Sequence, residues 1–270
     1  MKICEIRDEY HPELGAIGYL FYFDNSKRFY IEISDGLDYW TAPPIIDSFV
    51  KKKQNYVDSK WSIAWVRQRI IPPDRQNIGA ILKAQGMKEY NEYNLLVFSD
   101  GRCAQDECMV EEIHEDDLPD EIKKRMQYRV KAVFALPQNK LLVYFRDSSS
   151  VVCDVKKIVA NERQFAPVLN SEDIFQKVTV SEGGYGVRWG SDVEIPDFML
   201  KAHPVDHTIS FDELQLLIEQ NLYDTSQTME RLHCTRQNID DLVKRGKLPV
   251  IKTSAKNKLF LRSDVEERLW

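Results

Sequence analysis

Residues 235–245, Thr-Arg-Gln-Asn-Ile-Asp-Asp-Leu-Val-Lys-Arg, combine side chains that bond base edges and phosphates with an aliphatic spacing that fits a helix. At about 100° per residue, Ile239, Leu242 and Val243 gather on one side. Gln237, Asp241 and Lys244 lie opposite, flanked by Arg236, Asp240 and Arg245. Gln and Arg match adenine and guanine edges with two bonds each, and Asp accepts from the cytosine amino group. The start of such a helix also favours phosphate, and Thr235 is placed to cap it ahead of Asn238. Downstream, Lys256, Asn257 and Lys258 form a polar, basic tip suited to the sugar–phosphate backbone or minor groove. The chemistry expected of Thr235, Arg236, Gln237, Asn238, Asp241, Lys244, Arg245, Lys256, Asn257 and Lys258 is therefore contact with double-stranded DNA. Asp240 and Asp241 oppose a polyanion unless they bond a base. Each also has a local partner four residues on, Lys244 and Arg245, so an exposed face that is merely self-paired is the competing reading.

The elements that must position these residues follow from turn and cap signals. Residues 227–233 read as a short helix and Cys234-Thr235 as a tight turn. The second helix runs through Arg245, and Gly246 closes it with a left-handed residue. Residues 248–261 read as a two-stranded ribbon, followed by a final helix capped from Ser263. Four stretches arrive in order: Thr235-Arg236-Gln237-Asn238-Ile239, Gly246-Lys247-Leu248-Pro249, Lys256-Asn257-Lys258 and Arg262-Ser263-Asp264-Val265. Together they resemble the excisionase-like and MerR-like winged helix-turn-helix families, over about a sixth of the chain. The resemblance implies a winged helix-turn-helix that binds DNA, with a homodimer on paired half-sites as the usual means of adding affinity.

Net charge is −6, yet residues 51–90 carry nine Lys and Arg against three Asp and Glu, and residues 226–270 carry ten against six. Local basic surface attracts phosphate even in an acidic chain, because distant charges are screened beyond roughly 8–10 Å. The tetrapeptide Arg-Gln-Asn-Ile opens an expected helix in both islands, at residues 75–78 and 236–239. A second DNA surface through Arg75, Gln76 and Lys83 is one reading; repeated use of a good helix start is the other.

The fold class expected is α+β and multidomain: an N-terminal α+β domain (1–120), a small β-rich middle domain (125–203), and a connector helix with the winged module (208–270). In the first, residues 17–23 and 28–34 flank a turn and read as a hairpin. Helices are expected over 42–53, 59–70, 74–85 (capped by Asp74) and 89–98, with Trp61 and Trp65 both in the core. In the middle, strands are expected at 131–136, 140–146, 151–155, 178–181 and 186–189, with short helices at 171–176 and after Pro196. The residues Leu141–Phe145, Asp147, Asp154, Leu169, Phe175, Val178, Gly186, Trp189 and Pro196-Asp197 resemble an uncharacterised small bacterial α+β domain that accompanies helix-turn-helix and toxin–antitoxin proteins. They are mostly core and turn positions, and imply a fold rather than an activity. Ser210-Phe211-Asp212-Glu213 is a capping box. Its helix carries the stripe Phe211, Leu214, Leu217 and Ile218, expected to pack on the winged module or on a second subunit.

No catalytic or phosphate-loop signature appears, so no enzyme, cofactor or metal is expected. Cys103, Cys108 and His114 lack a second ligand pair, and the five histidines are scattered. Five cysteines, odd in number and dispersed, suit a reducing compartment. No apolar run approaches the ~18 residues of a membrane span, and residues 1–15 lack a signal-peptide core. The expected protein is a cytoplasmic DNA-binding regulator, a transcriptional repressor or mobile-element regulator of bacterial type. The alternative is an inhibitor or antitoxin that binds a protein partner through acidic surfaces such as residues 111–121.

Overall fold

The computed structural model describes every residue except Asp192, Ala255 and Lys256. Helix at 38% and strand at 25% place the chain in the mixed α+β class. It divides into two compact units, Met1–Lys123 and Lys124–Trp270. The segments read above as middle and C-terminal modules lie together in the second.

The first unit is built on an antiparallel five-stranded sheet. Its strands are β1 (Lys2–Asp8), β2 (Ala16–Phe23), β3 (Arg28–Ile33), β4 (Tyr56–Val57) and β5 (Cys108–Ile113), in the order β4-β3-β2-β1-β5. The β2–β3 hairpin turns through Lys27 in the left-handed region (φ 57). Edge strand β5 pairs with β1 across about a hundred residues, Ile3 with Ile113 and Asp8 with Cys108. Helices α1 (Ile46–Lys51), α2 (Ser59–Arg67), α3 (Ile78–Ala84) and α4 (Glu92–Phe98) follow. Leu20, Phe29, Ile31, Trp65, Val66 and Leu96 are fully buried in their shared core.

Three expectations need correction here. Helix α1 starts four residues later than expected, because Thr41 and Ala42 bond back to the Asp38 carbonyl and Pro43-Pro44 disfavours helix before it. Asp74 does not cap α3. Residues 72–77 are used in turns, with Arg75 N–H on the Pro72 carbonyl and Ile78 N–H on that of Arg75 (3.2 and 3.0 Å), so the helix opens at Ile78 with Asn77 before it. Trp61 is not core: α2 turns Ser59, Ser62, Trp65 and Val66 inward, and Trp61 is 47% exposed.

In the second unit, α5 (Asp120–Met126) spans the division and leads into two small antiparallel sheets. One holds β6 (Val130–Leu136), β7 (Lys140–Phe145) and β8 (Ser150–Asp154), the other β9 (Thr179–Val180), β10 (Gly186–Trp189) and β11 (Val193–Pro196). Between them lie α6 (Val155–Ile158), α7 (Ala166–Leu169) and α8 (Glu172–Phe175), with α9 (Asp197–Ala202) after β11. Leu141, Phe145, Phe175, Val178 and Trp189, which carry the middle-segment resemblance, are core residues. The Trp189 indole donates to the Phe175 carbonyl at 2.8 Å. Gly184 (φ 83) passes so close to β6 that a Cβ there would meet the Val130 carbonyl oxygen at 2.4 Å, which no other residue tolerates. Beside it, buried Arg129 pairs with Asp197 at 2.9 Å and stacks over Tyr185.

The chain then runs through α10 (Phe211–Asn221), β12 (Leu222–Asp224), α11 (Thr225–Leu232), α12 (Arg236–Lys244), β13 (Lys252–Thr253), β14 (Lys258–Leu261) and α13 (Arg262–Glu266). The Ser210–Glu213 capping box is present, as read from the sequence.

Candidate nucleic-acid interface

Helix α11 starts on a capping box, Asp224 bonding the Gln227 N–H and Gln227 returning the bond to Asp224 N–H. It stops where His233 adopts the left-handed conformation (φ 50) and Cys234 N–H reaches back to the Met229 carbonyl. Thr235 then caps α12, its hydroxyl accepting from Asn238 N–H at 3.4 Å. This three-residue turn sets α12 against α11. Gly246 (φ 68) ends α12, and Lys247 N–H closes on the Leu242 carbonyl at 2.8 Å. An L side chain at that φ is strained.

Ile239, Leu248, Phe260 and Val265 form a fully buried core, with Met229, Leu232, Leu242 and Val243 packed on it. Strand β14 lies between β12 and β13, pairing Tyr223 with Phe260 and Lys252 with Leu259. Sequence reading anticipated two strands; β12 supplies a third. The last helix starts at Arg262, and no side chain caps it, so the expected Ser263 cap is absent.

With Ile239 anchored inward, Arg236, Gln237, Asn238, Asp240, Asp241, Lys244 and Arg245 are all exposed to solvent. The acids behave differently from the local pairing expected. Asp240 is bonded by the ammonium of Lys258 on β14, which with Arg236 nearby holds its carboxyl below the ordinary value. Lys258 takes this partner rather than solvent because it shares a strand face with Phe260, which points into the core. Asp241, Lys244 and Arg245 make no ion pair among the described residues.

The other expected residues are placed as follows. Thr235 is spent on its cap. The Asn257 carboxamide accepts from the Thr225 and Lys258 N–H groups (3.3 and 3.2 Å), so it builds the ribbon and is only partly exposed. Lys256 lies outside the described residues. Lys247 and Lys252, which the sequence reading did not single out, are exposed beside α12 and on β13; their signal was the Gly-Lys-Leu-Pro turn and the basic ribbon. Arg75, Gln76 and Lys83 are exposed in the first unit. Arg75 and Gln76, however, precede α3, whereas Arg236 and Gln237 open α12, so the repeated tetrapeptide is not one structural unit used twice.

No family model, curated protein or solved structure matches this chain. The resemblances read from residues 141–197 and 235–265 stand on those residues alone.

The module is joined to the rest of its unit through α13. The Arg262 guanidinium donates to the Gln176 and Val178 carbonyls (3.2 and 3.1 Å), Arg146 pairs with Glu267 at 2.9 Å, and Trp270 packs on the neighbouring core. Arg231 clamps Glu266 with two bonds of 2.7 and 2.6 Å, tying α11 to α13. The polar side chains of α12 stay exposed, with Asp240 paired to Lys258.

Other candidate chemistry is placed as well. All five cysteines are free. Burial pushes the Cys4 thiol up to about 11 and those of Cys108 and Cys153 up to about 12, so these three are thiols at neutral pH. Cys103 sits beside Asp106. Among the described residues no cluster of three His, Cys, Asp or Glu is placed to hold a metal. No helix of the described residues is long and apolar enough to cross a membrane.

Proposed function

We propose that the chain is a DNA-binding regulator whose C-terminal residues form a winged helix-turn-helix. Helix α12 would enter the major groove and the β13–β14 ribbon would lie along the backbone. One observation carries this reading: Ile239 is fully buried while Arg236, Gln237, Asn238, Asp241, Lys244 and Arg245 stand exposed along the other side of the same helix. A groove-reading helix must be built this way, anchored by one face and bare on the other. The β12-β14-β13 order, with the basic ribbon following the helix pair, supports the same reading. Sequence choice would come from Gln237, Asp241 and Arg236 at base edges, and affinity from Lys244, Arg245, Lys247 and Lys252 at phosphates.

The test is selection of duplexes from a random pool by the full chain, followed by fluorescence anisotropy on the enriched sequence. A recurrent short motif, bound more weakly as salt rises, is the expected result. No enrichment, with no shift even at low salt, overturns the reading.

A homodimer is part of the proposal. The α10 stripe does not pack on the winged module as one reading had it: Phe211, Leu214 and Ile218 are 71%, 46% and 52% exposed, and only Leu217 is partly covered. Three large apolar side chains one turn apart are the pattern of a face that meets a second helix. Replacing Phe211 and Ile218 by Glu is expected to weaken self-association on the order of 10²-fold or more, read by sedimentation equilibrium. A wild-type chain that stays monomeric at about 100 μM, far above where such pairs normally form, removes the homodimer.

A second reading draws on exposed acids, Glu111, Glu115, Asp116, Asp117 and Asp120, in the first unit. They suit a basic protein partner, as an inhibitor or antitoxin would need. It replaces the first reading if duplex selection fails and a basic protein co-purifies.

A further inference from the structure

The basic island of residues 51–69 belongs to the first unit, and nothing in the reading above uses it. It holds Lys51, Lys52, Lys53, Lys60, Arg67 and Arg69, with Asp58 as the single acid between residues 51 and 73. Two of these cations are accounted for. Arg69 is buried over the Trp65 ring and bonded to Asp106, and Arg67 pairs with Glu92 at 2.9 Å. The four lysines are exposed and make no ion pair among the described residues.

The fold brings them together. Helix α1 ends in a left-handed turn at Lys53 (φ 56), where Gln54 N–H bonds the Phe49 carbonyl at 3.0 Å. That turn leaves Lys51, Lys52 and Lys53 spread around the helix C-terminus, where the backbone dipole favours cations. Strand β4 then runs directly to Asp58, the cap of α2. The Asp58 carboxylate accepts from Trp61 N–H at 3.0 Å; burial raises its pKa, and the charges of Lys60 and Lys52 act to lower it. That carboxylate is half-buried and committed to its cap, so it leaves the lysines a net positive surface. Next to Lys60 stands Trp61, 47% exposed on the first turn of α2. Within residues 51–73 the one acid, Asp58, is taken up by its cap.

We propose that the α1–α2 corner is a second DNA contact, a lysine surface for duplex phosphates in which Trp61 lays its ring against the sugar edge. Lysines as compact point charges and one flat donor-bearing ring suit the backbone rather than base edges, so this contact is blind to sequence. It differs from the Arg75, Gln76 and Lys83 surface considered from sequence. It rests on the DNA-binding reading of α12, which names duplex DNA as the ligand.

The experiment uses the full chain and a labelled duplex of about 30 bp, long enough for many phosphate contacts, with anisotropy read across a salt series. Four proteins are compared: wild type, K52E/K60E, K244E/R245E and the quadruple variant. K52E/K60E should lower affinity by roughly tenfold or more and reduce the slope of log K against log salt by about two, one phosphate per lysine. K244E/R245E should keep a weaker, sequence-blind affinity that the quadruple variant loses. The milder K52Q/K60Q should fall between, and unchanged melting curves show that these exposed positions do not support the fold. Wild-type binding with affinity and slope unchanged in K52E/K60E overturns this inference alone; absence of wild-type binding overturns it together with the α12 reading. Binding to phosphatidylserine vesicles that K52E/K60E abolishes, with duplex binding untouched, assigns the surface to a membrane and also overturns it.

Discussion

Reversing the charges of Lys244 and Arg245 is expected to weaken duplex binding on the order of 10²-fold near physiological salt, and to lower the salt slope by about two. Both side chains stand in solvent at the end of α12 and make no ion pair among the described residues, so the fold does not depend on them. Their favourable energy in the free protein is small. In a groove each would displace condensed cations from a phosphate, and a glutamate in the same place would add repulsion. The size of the effect follows from that double change. Urea midpoints should not move. Equal affinity in wild type and K244E/R245E, with folding intact, would mean that α12 does not face the duplex.

Phe260→Ala should have the largest effect on stability, about 3–5 kcal/mol, through lost burial and the cavity it leaves. Phe260 is fully buried among Ile239, Leu248 and Val265, the completely buried apolar set of the module among the described residues. It also sits on the central strand, opposite Tyr223, so it supports the sheet as well as the inner face of α12. So small a core cannot redistribute the loss. Unfolding of residues 222–266 ahead of the rest of the second unit is expected, read as amide exchange confined to that stretch. Duplex affinity should fall with it although no exposed side chain has changed. A Phe260→Ala protein with native amide protection would show that α12 is held by something other than this core.

The two perturbations differ in kind, one on the exposed side of α12 and one behind it. Their separation depends on features that were unequally legible. Several caps and turns are legible locally: Thr235 before α12, Gly246 after it, the Ser210–Glu213 box of α10, the turn between β2 and β3; the Asp74 and Ser263 caps were not realised. The split of α12 into an aliphatic and a polar face is likewise a matter of spacing. Non-local pairings were not legible. Strands β1 and β5 carry no signal that they meet, since their partners lie on opposite sides of a hundred intervening residues. Strand β12 is three residues long and gains its identity only from β14.

Charge partners show the same limit. Spacing favours Asp240 with Lys244, four residues on, but the structure gives Asp240 to Lys258, eighteen residues away, because β14 crosses beside α12. Trp61 and Trp65 look equivalent by periodicity. Which of the two is buried depends on how α2 meets the sheet: Ser62 bonds the Val57 carbonyl of β4, and Ser59, Trp65 and Val66 are buried with it. The lysines of the α1–α2 corner were visible as a run, yet their joining through β4 to the Asp58 cap of α2 needed the fold.

By itself, then, the order of amino acids determined the mixed α+β class, the caps of α10 and α12, the β2–β3 turn, and which side of α12 is polar, because each depends on neighbours within a few residues and on simple periodicity. Tertiary structure decided which distant segments pair, which acid is neutralised and which tryptophan meets water. Those outcomes depend on chain segments brought together from far apart, and the cost of closing such loops is met only once the whole core has formed.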